Sequence, residues 1–569
     1  MNLNKKKEIR VFDAIVVGSG ISGGWATKEL CENGLNTLVL ERGRMVEHIK
    51  DYITAEKEIW DFKFRDKPTI TQLSRQNKQH RTGYVTKESS RHWFVDDLKH
   101  PYQENKRFDW IRGYHVGGRS ITWGRQALRM SDVEFDSFKR ENIGTGWPIR
   151  YKDIEAWYTK VEKFIGVSGE NLGIEHFPDA YLSPPMELNC VENEFKKQLS
   201  INYNNRHLTI GRFANLTGTK IHEGRSNCLY RNKCIRGCPI GGYFSSNAST
   251  LPAAERTGNM TLRPNSIVSE IIYDEETKKA SGVRVIDAIT KKETVFNAKV
   301  IFLCASTIPS TSILLQSVSK RFPNGMGNDS GELGHNLMDH HFKVGATGIY
   351  KGFENKGYEG RRPGSFHIPR FRNLGDKESK QSYKGGYSFQ GSASRLNWKR
   401  AIKELSYGEE LKEELSKPGD WKIGMTGYGE QLPYHENKIS LDYNKKDEWG
   451  LPTVVFDCEY KENESIMRED IQNEAVKMLK SAGFSDVKGF DNSCFPGNAI
   501  HEMGTARMGI DPKSSVLNGN NQLHDVLNVY VTDGACMASS GSQNPSLTYM
   551  ALSARAANHA AEQIKKGLI

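Results

Sequence analysis

Residues 11–43 read VFDAIVVGSGISGGWATKELCENGLNTLVLERG, and this stretch decides the fold. An apolar run of strand length leads into a glycine-rich turn, a helical segment follows, and a second apolar run ends on an acid. Gly18, Gly20 and Gly23 supply in turn the tight turn, the close backbone approach to a pyrophosphate and the close packing of helix on strand. Glu41 falls where a ribose hydroxyl needs an acceptor, and Arg42 directly after it is counted with the same cofactor-binding set. The helix opens near Ile21 and Ser22, so its unsatisfied N–H groups and positive dipole end face the phosphates without any lysine. Strand, turn, helix and acid stand in register, which predicts a dinucleotide site. The early position of the fingerprint, and the lack of a second one further along, favour FAD over a nicotinamide.

At 569 residues the chain exceeds one ordinary core, so two domains sharing a cleft are expected. The expected fold class is α/β: a Rossmann-like FAD-binding domain beside a substrate-binding domain on a largely antiparallel sheet. The fingerprint lies near one end of the chain and the closing helix, 548–564, at the other. The FAD-binding domain is therefore expected to be discontinuous, over 1–150, 225–345 and 495–569. The substrate-binding domain takes 151–224 and 346–494. Alternating segments such as KISLDY and PTVVFDCEY place antiparallel strands between 386 and 460, and 462–482 reads as an amphipathic helix. Residues 59–112 read as a lid or partner-facing loop, and 351–385, with Pro363 and Pro369, as a mobile loop over the cleft.

A hydrophobic fraction of 37% and a charged fraction of 26% describe a globular protein without a long disordered tail. The longest apolar runs, 14–17 and 300–305, are far short of the ~20 residues that span a bilayer, so no integral membrane segment is expected. The net charge of +10 is scattered rather than gathered into a stripe, which argues against nucleic-acid binding. The opening MNLNKKKEIRVFDA has basic residues and no apolar run before the first strand. No export signal of its own is expected, which favours the cytoplasm unless a signal-bearing partner carries the folded subunit across a membrane.

Six of nine cysteines, Cys31, Cys190, Cys304, Cys458, Cys494 and Cys536, lie singly and read as small buried or incidental thiols. The other three fall in SNCLYRNKCIRGCPIG, residues 226–241, as Cys228, Cys234 and Cys238, with Pro239 after the last. Three thiols in one short loop fit an iron–sulfur cluster, whose ligand runs often end on Cys-Pro. Structural zinc with His222 as fourth ligand, or a disulfide with a spare thiol, are the competing readings.

Toward the end the chain reads HEMGTARMG at 501–509 and NVYVTDGACMASSGSQNPSLTYMALSARAANHAAEQI at 528–564. In its middle it reads HVGGRSITWG at 115–124, VIFLCASTIPSTSILLQS at 300–317 and ELGHNLMDHH at 332–341. With the fingerprint, these motifs resemble the glucose-methanol-choline oxidoreductase family over nearly the whole chain. Within it the chain is most similar to bacterial sugar dehydrogenase flavoprotein subunits of the glucose, gluconate 2- and glucoside 3-dehydrogenase types. That likeness implies a three-iron four-sulfur cluster on Cys228, Cys234 and Cys238, a small export or assembly subunit, a cytochrome acceptor and a periplasmic address by co-export. One branch of the family attaches FAD covalently to a histidine; the matching position here is Thr122, which implies non-covalent FAD.

Oxidising an alcohol requires a base for the hydroxyl proton and an acceptor for the carbinol hydride. By the resemblance His501 is the base and Asn544 its partner, an amide that holds the substrate oxygen by hydrogen bonds. Asp533 and Gly534 are expected at the FAD phosphates or ribityl chain, Gly117, Gly118 and Ser120 at the flavin, Val268 at the adenine, and Pro545 beside Asn544. The implied reaction is oxidation of a sugar or glycoside hydroxyl to a keto sugar or lactone. An oxygen-using sugar oxidase and a non-catalytic flavin-binding assembly subunit are the alternatives.

Overall fold

The computed structural model describes residues 11–83, 85–218, 222–358, 362–395 and 407–569. The fingerprint forms as the sequence dictates: strand Val11–Val17, helix Ile21–Glu32, strand Thr37–Leu40. Ala14, Ile15 and Val16 are fully buried, because this strand lies inside a sheet covered on both faces, where an unbroken apolar run is required. It pairs in parallel with Thr37–Leu40 on one side and with Glu293–Leu303 on the other. Met260–Arg263 extends the parallel part beyond Thr37–Leu40, and Val529–Val531 pairs in parallel with the end of Glu293–Leu303. Lys279–Asp287 and Ser266–Asp274 add antiparallel strands, which completes a seven-stranded sheet. The chain's closing helix, Ser546–Lys565, lies against the fingerprint helix. Ala556, Ala557, Ala560 and Ala561 face Ala26 and Leu30 there, and small side chains let the two axes approach.

A second sheet of six strands runs in the order Ser485–Asp491, His341–Tyr350, Trp421–Gly429, Tyr387–Arg395, Phe366–Ile368, Thr209–Ile210, antiparallel throughout. Its two faces divide the labour. Tyr387 and Phe389 point into a core built with helices Glu462–Ser481 and Cys190–Asn202, and Gly427 lacks a side chain where a Cβ would fall 2.3 Å from Ile471. Gln390 and Tyr428, on the opposite face, border the large cavity between the sheets. The strands expected between 386 and 460 form, but they divide: Lys438–Lys446 and Pro452–Asp457 join Gln103–Glu104 in a separate three-stranded sheet. Among the described residues no helix is long and apolar enough to cross a membrane.

Candidate active site

A cavity of about 850 Å³ separates the two sheets, a volume at the upper end of ligand sites. The fingerprint supplies one end, with Gly18, Gly20, Ile21, Ser22, Glu41 and Arg42 on its wall. Gly18 takes φ +96, and a Cβ there would fall 2.5 Å from the Cys304 carbonyl oxygen. Gly23 sits behind the wall, where a Cβ would fall 1.9 Å from the Gly18 carbonyl oxygen, so helix and strand meet backbone to backbone. A Cβ on Gly20 would meet nothing within 4 Å, which leaves room at the helix opening for a pyrophosphate. Glu41 is buried and accepts from Ser19 N–H at 3.1 Å, Ser19 Oγ at 2.7 Å and Gly43 N–H at 3.0 Å. A carboxylate accepts about four such bonds, so capacity for one ribose hydroxyl remains. Burial raises its pKa. Arg42 pairs with Asp447 at 3.1 Å and lies over the Tyr114 and Trp449 rings.

Gly118, Ser120 and Thr122 line the cavity beside the fingerprint, and Val268 lines it where its strand slips register against Lys279–Asp287. Gly117 turns the chain at φ +86 and donates its N–H to Ser19 Oγ at 2.9 Å, which ties this turn to the fingerprint. The Ser120 hydroxyl donates to the Gly117 carbonyl at 2.5 Å and accepts from Ser246 N–H at 3.0 Å, so its role is to hold the turn. Asp533 and Gly534 reach the cavity at the end of Val529–Val531. The Asp533 carboxyl accepts from Ser310 Oγ and Ala535 N–H, and burial raises its pKa to about 6. Pro545 precedes the closing helix at its N-cap. These residues fit FAD: a phosphate cradle, a ribose acceptor and an elongated cleft ending at His501 and Asn544.

At that far end His340 Nε2 lies 2.7 Å from the Gly541 carbonyl oxygen, and His340 Nδ1 lies 2.9 Å from His501 Nδ1. A carbonyl has no proton, so His340 Nε2 must donate to it; His340 Nδ1 is then an acceptor, and His501 Nδ1 must donate to that. The His501 proton is thereby fixed on Nδ1. His501 Nε2 keeps its lone pair, 3.3 Å from Asn544 Nδ2, which donates to it. Burial, with His340 and Arg119 as neighbours, holds the His501 pKa well below the usual 6.5, and burial holds His340 at about 4. Both rings are neutral, and the one basic nitrogen of the pair faces the cavity.

The backbone carrying His501 is held in place from below. Asp339, fully buried, accepts from His501 N–H at 2.9 Å and Ala499 N–H at 3.0 Å, across Ile500. Ile500 has φ +63, a left-handed conformation that costs a β-branched residue about 1–3 kcal/mol and persists only where its surroundings enforce it. Burial pushes the Asp339 pKa up to about 8. Glu502, next along, takes a two-pronged ion pair from Arg119 at 2.8 and 3.1 Å. His340 and Asp339 lie within the quoted ELGHNLMDHH run, but neither was singled out; a doubled His after Asp was the available signal.

The cysteine loop meets the cavity at Cys234, whereas Cys228 and Cys238 lie behind it. All nine cysteines are free thiols, so the disulfide reading does not hold. His222 Nε2 is 2.8 Å from the Phe164 carbonyl and is engaged there. Among the described residues no group of three or more His, Cys, Asp or Glu side chains is gathered closely enough to hold a metal ion, and Cys228, Cys234 and Cys238 are among the residues so described.

The comparisons with known proteins agree with this architecture. A family model described as GMC oxidoreductase matches residues 12–342 with its N-terminal part, and the C-terminal part of the same family matches 433–553. The fructose dehydrogenase large subunit of Gluconobacter japonicus is 26% identical over 574 residues, covering 98% of both chains. The gluconate 2-dehydrogenase flavoprotein of Pantoea cypripedii is 24% identical, covering 98% of this chain and 95% of its own. Among solved structures, a formate oxidase from Aspergillus oryzae RIB40 superposes with a TM-score of 0.61 at 14% identity, covering 98% of this chain and 99% of its own, which shows a shared fold. A dinucleotide cleft, a neutral histidine whose Nε2 lone pair faces the cavity, and family models over most of the sequence converge: the chain belongs to the GMC oxidoreductase family and is an FAD-dependent oxidoreductase acting on CH–OH groups.

Proposed function

We propose that this protein is a sugar or glycoside dehydrogenase that takes a ring hydroxyl to the ketone, or an anomeric hydroxyl to the lactone, and passes the electrons out through an iron–sulfur cluster. The observation that carries the reading is the single lone pair on His501 Nε2, aimed at the cavity by the Gly541–His340 chain. As the substrate hydroxyl reaches His501 it loses its proton to Nε2, and the Asn544 N–H turns from the ring to the developing alkoxide. FAD, when bound, supplies the acceptor for the carbinol hydride, so one bond to hydrogen breaks at oxygen and one at carbon. The named activities of the relatives, fructose dehydrogenase and gluconate 2-dehydrogenase, support a sugar-like substrate. A secondary ring hydroxyl, as in a glucoside 3-dehydrogenase, is the finest form of the reading.

The cysteine loop supports the electron exit. Cys228 lies within reach of the charges of Cys234 and Cys238, Cys238 within reach of that of Cys234, and backbone N–H groups of Ile240, Gly242 and Tyr243 point at Cys238. Arg225 is 1% exposed and donates only to the Ile165 carbonyl, at 2.6 Å. Its Nε and Nη1 have no hydrogen-bond partner among the described residues, and the charges that act on it are those of Glu223 first and then Cys238. A buried guanidinium without an anion costs several kcal/mol, and a thiolate-bound cluster supplies that anion. Among these residues the three-iron four-sulfur type needs only the three thiols present. A small export subunit, a cytochrome acceptor and a periplasmic address complete the proposal, supported by the likeness to a dehydrogenase's large subunit.

Anaerobic titration with fructose, glucose, glucosides and gluconate, followed by absorbance and low-temperature electron spin resonance, tests it. Flavin bleaching together with loss of a three-iron signal is the expected result. Bleaching without iron, with rapid oxygen uptake, replaces it with a sugar oxidase; no bleaching across the panel leaves a flavin-binding assembly subunit.

A further inference from the structure

The chain of hydrogen bonds does not stop at Asn544. Gln390 Nε2 donates to Asn544 Oδ1 at 2.7 Å, and Gln126 Nε2 donates to Gln390 Oε1 at 2.9 Å. A side-chain amide presents oxygen and nitrogen in nearly the same shape, so it is the His501 Nε2 lone pair on one side and the Gln390 N–H on the other that together set which end of Asn544 faces which partner. With the Gly541 carbonyl fixing one end, every link has one polarity from His340 through His501 and Asn544 to Gln390 and Gln126. Reversing any link sets two acceptors, or two donors, against each other. The price of this polarity appears at the far end, where Gln126 Oε1 is buried without a partner among the described residues. Turning the Gln126 amide over would set its oxygen against Gln390 Oε1.

We infer that Gln390, braced by Gln126, is a positioning residue that compels Asn544 to present N–H to the reacting oxygen and leaves His501 Nε2 unprotonated. The inference deepens the proposed reaction and rests on it for its kinetic consequence. Gln390 is placed for this by the sheet. It pairs with Thr426 in the antiparallel ladder, with Phe389 turned to the core, so its side chain is held on the cavity face. The ionisable groups around the His501 ring are His340, Arg119 with its partner Glu502, and Asp339 under the backbone. None of them changes in the variants below, although Gln390→Glu adds a carboxyl of its own, so the NMR reading of the His501 proton decides between a turned amide and a charge effect alone.

Gln390→Met removes the donor and keeps the length, while Gln390→Glu keeps the acceptor for Gln126 and offers Asn544 no N–H. The glutamate variant turns Asn544 over, aims its oxygen at His501 Nε2 and so favours a proton there. In stopped-flow flavin reduction by substrate, Gln390→Met is expected to lower the limiting rate about tenfold or more, with KM little changed and the pH profile unmoved. Gln390→Glu is expected to move the acid limb of the profile upward by about one unit or more. Equal losses with unmoved limbs in both variants, with FAD absorbance intact, would mean a structural role and overturn the inference. Nitrogen-15 histidine NMR of the FAD-loaded protein reads the His501 proton without any turnover: Nδ1–H in the parent chain and a protonated Nε2 in Gln390→Glu are expected. An unchanged Nε2 in Gln390→Glu overturns the inference, whereas failure of every sugar to bleach the parent flavin overturns only the proposed function.

Discussion

At the His501 wall every proton has an address, whereas at the cysteine loop across the same cavity the buried Arg225 guanidinium leaves two nitrogens without a hydrogen-bond partner among the described residues. The wall runs from the Gly541 carbonyl through two imidazoles to three amides. In the proposed reaction it takes the proton of a substrate hydroxyl, and the hydride would go to bound FAD. The loop has three thiols, of which burial raises the pKa of Cys228 and Cys238, strapped to 52–66 by Arg231 to the Ala55 carbonyl and by Arg236 to the Lys57 carbonyl, both at 2.7 Å. Preorganised chemistry shows in hydrogen bonds that close on themselves, and a site built for a guest shows in the partners it leaves out.

The contrast breaks most visibly at the base. Replacing His501 with Ala should lower the rate of flavin reduction by about 10²–10⁴-fold, with FAD content and any iron signal unchanged. Loss of the iron signal along with the rate would mean that the two regions are one folding unit rather than two sites. Cys238→Ser should do the reverse. The iron signal disappears, substrate still bleaches the flavin at close to the parent rate, and turnover with a one-electron protein acceptor falls by about tenfold or more. A smaller effect sharpens the description of the wall. Because burial holds His501 neutral, its acid limb in flavin reduction should lie below pH 6.5, with a flat rate above it. The sign follows from the lowered pKa: the lone pair is present at neutral pH and is lost only as protons are added below the folded value. A limb at or above 6.5 would show that the imidazole is solvated.

The two regions were also legible to different depths in the sequence. Glycine spacing reports backbone demands directly, so Gly18, Gly20, Gly23 and Glu41 were readable as a cradle from residues 11–43 alone. His501 and Asn544 were readable only through motif order, since a lone histidine and an Asn-Pro carry no signature of catalysis. Their supports were not readable at all. His340, Asp339 and Gln390 reach His501 across 161, 162 and, through Asn544, 154 residues of chain, by contacts that sheet register creates and no local pattern encodes. The same blindness put the antiparallel strands in one sheet, whereas they form in two. KISLDY and PTVVFDCEY alternate as a sheet should, but alternation does not say which sheet, and the pairing with Gln103–Glu104 depends on a segment without a clean period. At the loop, cysteine spacing suggests the proposed ligand set, whereas Arg225 just ahead of it carries no signal of its own, as one arginine among 79 basic residues.

Arg225 gives the finest measure of the difference between the regions. If the loop holds an anionic cluster, the buried guanidinium stabilises the reduced, more negative state over the oxidised one, and so raises the midpoint potential. Removing the charge with Arg225→Met should lower that potential by about 1–2 kcal/mol of charge–charge interaction, or roughly 50–100 mV for a one-electron couple. Arg225→Lys keeps a charge on a similar stem and should restore part of the shift. Redox titration of the iron signal measures both variants without relying on turnover. A potential unchanged in Arg225→Met would show that the guanidinium serves the Ile165 carbonyl and the packing at Gly241, where a Cβ would fall 2.7 Å from its Cγ, and nothing beyond them. His501 lies outside this interaction, so the pH profile of flavin reduction should be the same in all three proteins. A shift there would mean that charge at the loop is felt at the base, and that the cavity joins the two regions electrostatically as well as by shape.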